Sequence, residues 1–317
     1  MPTSTRRRRP SLAAICAALV VLATACTNPQ GSGDAGVAPD GLVALVADGD
    51  KTTLVGWDGS GGEAIPIKLP KGDVTWVATG LQDVLAAVRD DGTSATSDPV
   101  HLGKPLAWRN VAATDPSGKP PAGPGFFAAW EPDGGRYAML AGDLLAGEGI
   151  RAVVIDPSVS MAHEIDIHGT VVAAPPVWLD DERLVVVAGD AGAPIASIID
   201  MTTGDQTEGP SGDRLLATSV DGKRVATMAD QGAPIVIRDM AGWLAGDGSS
   251  IASIEPPNGT TTAITFALDT TGQRLAIAWA ANDGSVTLAV HDGRSGWRRV
   301  SKPDIGSARG AVVAWLR

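Results

Sequence analysis

Beyond residue 41 the chain is a series of short apolar runs separated by turn residues, and the runs recur in a fixed order. An apolar strand is followed by a tight Asp/Gly turn, a second apolar strand often opened by Arg, a gap, and a third strand ending in Asp. The unit is clearest at 126–156, where FFAAW leads through EPDGG to RYAMLAGD and then IRAVVID. It returns at 176–200 as PVWL, DDE, RLVVVAGD and PIASIID, and at 215–239 as LLATSV, DGK, RVATMAD and PIVIRD. At 263–292 it reads AITFAL, DTTGQ, RLAIAWA and SVTLAVHD, and a weaker copy at 74–98 reads VTWVATGLQD, VLAAVRD, DGT and SATSD.

Second strands are expected near 42, 84, 136, 183, 224 and 274, at spacings of 41 to 52 residues. Three or four strands per period of ~40–50 residues is the repeat of propeller blades. Helical solenoids of similar period need 3.6-residue apolar spacing, which these runs lack. Leu184, Val185, Val186 and Val187 are apolar at consecutive positions, so both faces of that strand are buried, as in a sheet sandwiched between two neighbours. The C-terminal AVVAWLR reads as a first strand with nothing after it, and LVALVADGD then TTLVGWD near residue 42 reads as a second and third strand with nothing before them. Joined, they complete one blade and remove the open sheet edge. The expected fold is all-β, a single β-propeller of about six blades of four antiparallel strands, closed by pairing of its N- and C-terminal strands. The degenerate copy at 74–98 and the loop at 112–125, long enough to hide a strand, leave five or seven blades open.

The N-terminus carries a different pattern. Arg6 to Arg9 precede an apolar stretch from Leu12 to Leu22, then Ala23, Thr24, Ala25 and Cys26. Such a run is too short for a permanent membrane span and fits the core of a signal peptide. The segment resembles a bacterial lipobox, with Ala23 where the pattern prefers a branched aliphatic residue and Leu22 one place earlier. The resemblance implies cleavage before Cys26 and a lipid on that cysteine. Ile15 is too bulky to make Cys16 the alternative. Arg8 and Arg9 ahead of Pro10-Ser11-Leu12 leave twin-arginine export open, although the strong motif wants Phe-Leu there. The domain plan is therefore a leader over 1–25, a flexible Gly- and Pro-rich tether over 26–40, and the propeller over 41–317.

Charge and cysteine content narrow the partners. The formal charge is −11, and removing residues 1–25 takes away four arginines and no acid, leaving −15. No basic surface appears after the leader, which excludes nucleic acid. Both cysteines lie in the targeting segment, so the folded part has neither a disulfide nor thiol chemistry. With 39 Gly, 3 Phe and 1 Tyr, the composition is that of a GC-rich, actinobacterial type of genome.

The turns and strands resemble the TolB-like and WD-repeat-like propeller families. The residues that carry this are Trp130-Glu131-Pro132-Asp133-Gly134 leading to Arg136, Trp178 to Arg183, Asp221-Gly222-Lys223-Arg224, and Asp269 to Arg274. Only Trp57-Asp58 matches the WD dipeptide, and the chain has no room for the additional α/β domain that precedes the propeller of TolB. The resemblance implies an extracytoplasmic binding or scaffold role.

Candidate chemistry is sparse. His163, Glu164 and His168 suggest zinc, but strand alternation puts the two histidines on opposite faces, so no metal site is assigned. No Gly-x-Ser-x-Gly elbow occurs, and the histidines at 101, 163, 168 and 291 are too scattered to nominate a base, so no catalytic residue and no cofactor are assigned. Acids follow the second strands at Asp48, Asp50, Asp90, Asp143, Asp190, Asp230 and Asp283, positions that would form an acidic ring on one face; Asp also simply favours turns, and marks every other kind of turn here. Trp76, Trp130, Trp178 and Trp315, with Phe126 and Phe127, fall on innermost strands and are expected to pack between blades. Trp243 and Trp297 are expected to be the exposed tryptophans. The candidate binding rim is thus Asp90, Asp143, Asp190, Asp230, Asp283 and Trp243, with Cys26 as the lipidation site. These readings favour a monomeric, non-enzymatic envelope lipoprotein that binds an envelope protein or component; the alternative is a hydrolase or lyase with its site in the central channel.

Overall fold

The computed structural model describes residues 40–316 except 49–50, 61–62, 122, 144–147, 169–173, 190–193, 220, 231, 257–261, 281–285, 293–295 and 301–309. It is a six-bladed β-propeller, each blade a four-stranded antiparallel sheet. In chain order, β1 (Leu42–Asp48), β2 (Lys51–Gly56) and β3 (Ile65–Ile67) are the outer strands of blade 1. Blade 2 is β4 (Val74–Thr79), β5 (Leu85–Arg89), β6 (Ser94–Ser97) and β7 (Trp108–Val111). Blade 3 is β8 (Gly125–Trp130), β9 (Tyr137–Asp143), β10 (Glu148–Asp156) and β11 (Met161–Asp166). Blade 4 is β12 (Val177–Trp178), β13 (Arg183–Ala188), β14 (Ile195–Asp200) and β15 (Gln206–Ser211). Blade 5 is β16 (Leu215–Thr218), β17 (Arg224–Met228), β18 (Ile235–Asp239), a short helix α1 (Met240–Leu244) and β19 (Ala252–Ile254). Blade 6 is β20 (Thr262–Leu268), β21 (Leu275–Ala280), β22 (Val286–His291) and β23 (Trp297–Arg299), after which β24 (Gly310–Trp315) supplies the innermost strand of blade 1.

The closure expected from the two chain ends is present. β24 pairs antiparallel with β1, from Leu42 opposite Trp315 to Ala47 opposite Gly310. The second strands begin within a residue of their expected positions, because an Arg or an apolar run after an Asp/Gly turn marks each start. The loop after β7 contributes no strand among the described residues. It touches blade 3 through the Thr114–Met161 bridge and through the Pro124 carbonyl, which accepts from the Gly142 N–H at 3.1 Å, and the blade count is six.

Consecutive burial along the second strands is what stacking of blades requires. Leu85 to Val88 and Leu184 to Val186 are fully buried, whichever side their side chains take. Each such Val or Leu contributes about 1.5–3 kcal/mol by leaving water.

The inner-strand tryptophans join one blade to the next. Trp130, Trp178 and Trp315 are each the last residue of an inner strand, and each Nε1 donates to a main-chain carbonyl of the preceding blade: Ala78 at 3.1 Å, Ala129 at 2.9 Å and Ala267 at 3.1 Å. Trp76, three residues short of its strand end, donates forward to Ala128 at 3.0 Å. Close approach is built in at Gly80, where a Cβ would stand 2.8 Å from the Trp130 ring. Phe127 sits in a bulge of β8 with φ of 48°, its ring edge-on to Trp76 at 4.7 Å. A bulky residue in the left-handed region costs about 1–3 kcal/mol, which the buried aromatic contact offsets.

Trp178→Phe keeps most of the apolar bulk but strands the Ala129 carbonyl, so urea denaturation should show a loss of about 1–3 kcal/mol. Trp178→Ala should cost about 3–5 kcal/mol. A Phe variant as stable as the parent would show that the indole hydrogen bond contributes nothing to the seam.

Candidate functional site

Strand direction alternates across a blade, so the turns after first and third strands share one face of the disc. The connections after second and fourth strands share the other. The first is the turn face and the second the loop face.

The turn face is organised by a repeated acid–arginine contact. In blade 3, Glu131 accepts from the Arg136 backbone N–H at 2.6 Å and from its Nε at 2.9 Å. In blade 6, Asp269 accepts from the Arg274 backbone N–H at 3.1 Å and its Nε at 2.9 Å. Asp180 holds Arg183 in blade 4 through its backbone N–H at 2.8 Å and its Nε at 2.8 Å. Blade 5 substitutes Ser219, whose Oγ accepts from the Arg224 N–H at 3.0 Å. Three of these arginines continue to the following blade. Arg136 lies over the Trp178 ring at 5.7 Å and donates to the Asp181 carbonyl, and Arg274 lies over the Trp315 ring at 4.6 Å. Arg224 donates to the Thr271 and Gly272 carbonyls at 3.2 and 3.1 Å. In the sequence these arginines stand out as strand openers. Their pairing with an acid five residues earlier, at 131/136 and 269/274, was the signal of a clamp.

Environment separates the two buried acids. Burial pushes Glu131 up to about 7, reinforced by the neighbouring Asp133 carboxyl and only partly countered by Arg136. Burial acts on Asp269 in the same sense. There the Arg274 side chain, its backbone N–H and that of Gln273 outweigh it and hold the carboxyl below the usual range. Other turn acids are locally engaged: Asp58, Asp115 and Asp156 each accept from both the backbone N–H and the hydroxyl of a serine two residues on, and Asp200 accepts from the Thr202 and Thr203 N–H groups. These carboxylates shape turns.

The candidate rim on the loop face is only partly placed. Asp143 and Asp230 are exposed, Asp230 pairing with Arg214 at 2.9 Å, and Asp90 is half-buried, its backbone N–H donating to the Asp73 carbonyl at 3.0 Å. Asp50, Asp190 and Asp283 lie outside the described residues, as does Cys26. Trp243 corrects the sequence reading: it is buried, not exposed. The Asp239 carboxylate caps α1 by accepting from the Gly242 N–H at 3.2 Å, and the helix folds Met240 and Trp243 onto blade 5. Its Nε1 donates to Asp213 at 3.0 Å. The helical spacing of Met240, Trp243 and Leu244 was the sequence signal for this. Trp297 is half-exposed, and its Nε1 donates to the Glu255 carbonyl at 2.7 Å.

His163 and His168 are exposed, and Glu164, between them, pairs with Arg151 at 3.0 Å. His291 stacks edge-on against Trp297 at 5.2 Å, and burial holds its imidazole below the usual value.

The fold and the clamped turns define a β-propeller protein. No family model matches the chain. No curated protein matches it in sequence. Among solved structures, TolB from Acinetobacter baumannii superimposes with a TM-score of 0.59 at 14% identity, over 87% of this chain. The chain spans 66% of the length of that TolB. A structure of a nidogen/laminin complex superimposes with a TM-score of 0.57 at 10% identity, over 86% of this chain and 98% of that one. The chain is thus similar to TolB-type and other propellers in fold.

Asp269→Asn removes the anion under Arg274 and should cost about 1–3 kcal/mol in chemical denaturation. Asp180→Asn, in a pair exposed on both sides, should cost less than about 1 kcal/mol. Equal costs would refute the role given to burial. Glu131 binds its proton more tightly folded than unfolded. Its contribution to stability is complete below its ordinary 4.5 and is lost as pH rises through about 7. The stability difference between the parent and Glu131→Gln, measured from pH 4 to 8, should therefore fall with rising pH; a flat difference would contradict the shift.

Proposed function

We propose that the chain is exported, cleaved before Cys26 and lipidated there, and held on the outer face of the cytoplasmic membrane. There the propeller binds an envelope protein or component as a monomer, without catalysing a reaction. The observation that carries the binding role is the closed ring itself: six blades present two broad faces of turns and loops on a rigid frame. The fold likeness to TolB supports an envelope role, and the second structure of similar fold comes from a complex between two proteins. The short apolar run ending in Ala23-Thr24-Ala25-Cys26 supports the anchor.

Cys26→Ser should move the protein from the membrane fraction to the soluble fraction of its own cells. Membrane retention unchanged by the substitution would contradict the anchor. Crosslinking of the anchored form should capture one reproducible envelope partner. Its absence, together with turnover of a substrate abolished by changes in the channel, would favour the hydrolase or lyase reading instead.

A further inference from the structure

The end of the tether has a defined place on the disc. Gly41 stands where the other blades have their first turn: its N–H donates to the Trp57 carbonyl at 2.9 Å, and its carbonyl accepts from the Leu316 N–H at 2.7 Å. Leu42 opposite Trp315 is the turn-face end of the closing pair. The chain therefore enters the propeller on the turn face, between the first and second strands of blade 1.

Fourteen residues, 27–40, separate Cys26 from this point. A chain of fourteen residues spans at most ~50 Å. To bring the loop face to the membrane, the tether would have to pass outward over two strands and down the height of the disc. At ~4.8 Å between strands and ~3.3 Å per strand residue, with turns and side chains added, that path is about 45 Å. It would use almost the whole contour. Reaching the membrane from the turn face uses none of it.

Resting on the lipoprotein reading above, we propose that the turn face lies against the bilayer surface and the loop face points outward to partners. The acids of the turn face, among them Asp133, Asp181 and Asp221, repel anionic headgroups within about 8–10 Å at physiological salt, so the apposition is closer on zwitterionic than on anionic lipid.

The test is energy transfer to a headgroup acceptor from a fluorophore on Lys223→Cys, at the turn-face end of β17, or on Ala229→Cys, at its loop-face end. Both sites are exposed. The lipidated protein is reconstituted in phosphatidylcholine vesicles and, separately, in phosphatidylglycerol vesicles. The expected result is transfer at least twofold greater from position 223 in phosphatidylcholine, with the difference smaller in phosphatidylglycerol at low salt. Equal transfer from the two positions, or greater transfer from position 229, overturns the orientation. Failure of the parent protein to float with vesicles overturns the anchor reading instead. The orientation is then read by the same criterion on nickel-chelating vesicles, using the full chain with Cys16→Ser, Cys26→Ser and six histidines inserted after residue 26.

Discussion

Everything in this molecule depends on one antiparallel pairing, that of β24 with β1. The blades stack on apolar faces that no single blade can bury by itself, so each is stable only between two neighbours. An open stack would expose one apolar face at each end. Pairing the last strand with the first makes the stack a ring and turns the most vulnerable blade into one drawn from both ends of the chain. Val312 to Trp315 are buried in that position, as are Leu42 to Ala47.

Directional contacts refine what burial drives. The indoles of Trp130, Trp178 and Trp315 tie inner strands to the preceding blade, and Arg136, Arg224 and Arg274 tie turns to the following one. Burial alone would allow blades to slide against one another, whereas a hydrogen bond to a particular carbonyl fixes their relative height. The inner strands of blades 2, 5 and 6 end on Thr79, Thr218 and Leu268 in place of the tryptophan, and blade 2 departs furthest. There Trp76 reaches forward with Phe127 strained against it. A seam built from different contacts also accounts for the weakness of this blade's repeat in the sequence.

The fold was legible because blade architecture writes itself in short-range terms: apolar runs of strand length, an Asp/Gly turn, then an Arg. The strand starts at Arg183 and Arg224 follow directly from that rule. The acid–arginine clamps were half legible, since the residues were conspicuous while the inter-blade contact joins positions about 45 residues apart, as in Arg136 to Asp181. Trp243 was misjudged because the connection after β18 departs from the repeat. The Asp that ends other third strands to start a turn here starts a helix, and the helix carries the indole inward. The candidate rim was the least legible part. Asp suits both a turn and an acidic ring, and Asp200 and Asp156 show how readily a conspicuous carboxylate is spent on its own backbone.

The central claim, that closure by the terminal strand holds the ring together, is tested most directly by native-state hydrogen exchange on the amides of β24. If closure and global stability are one event, the hydrogen-bonded amides of 311–314 should exchange only through complete unfolding, with the same free energy as those of Leu184–Val187 in the middle of blade 4. Exchange of β24 at a free energy several kcal/mol lower, while blade 4 stays protected, would show that the ring survives without its clasp and would contradict this account.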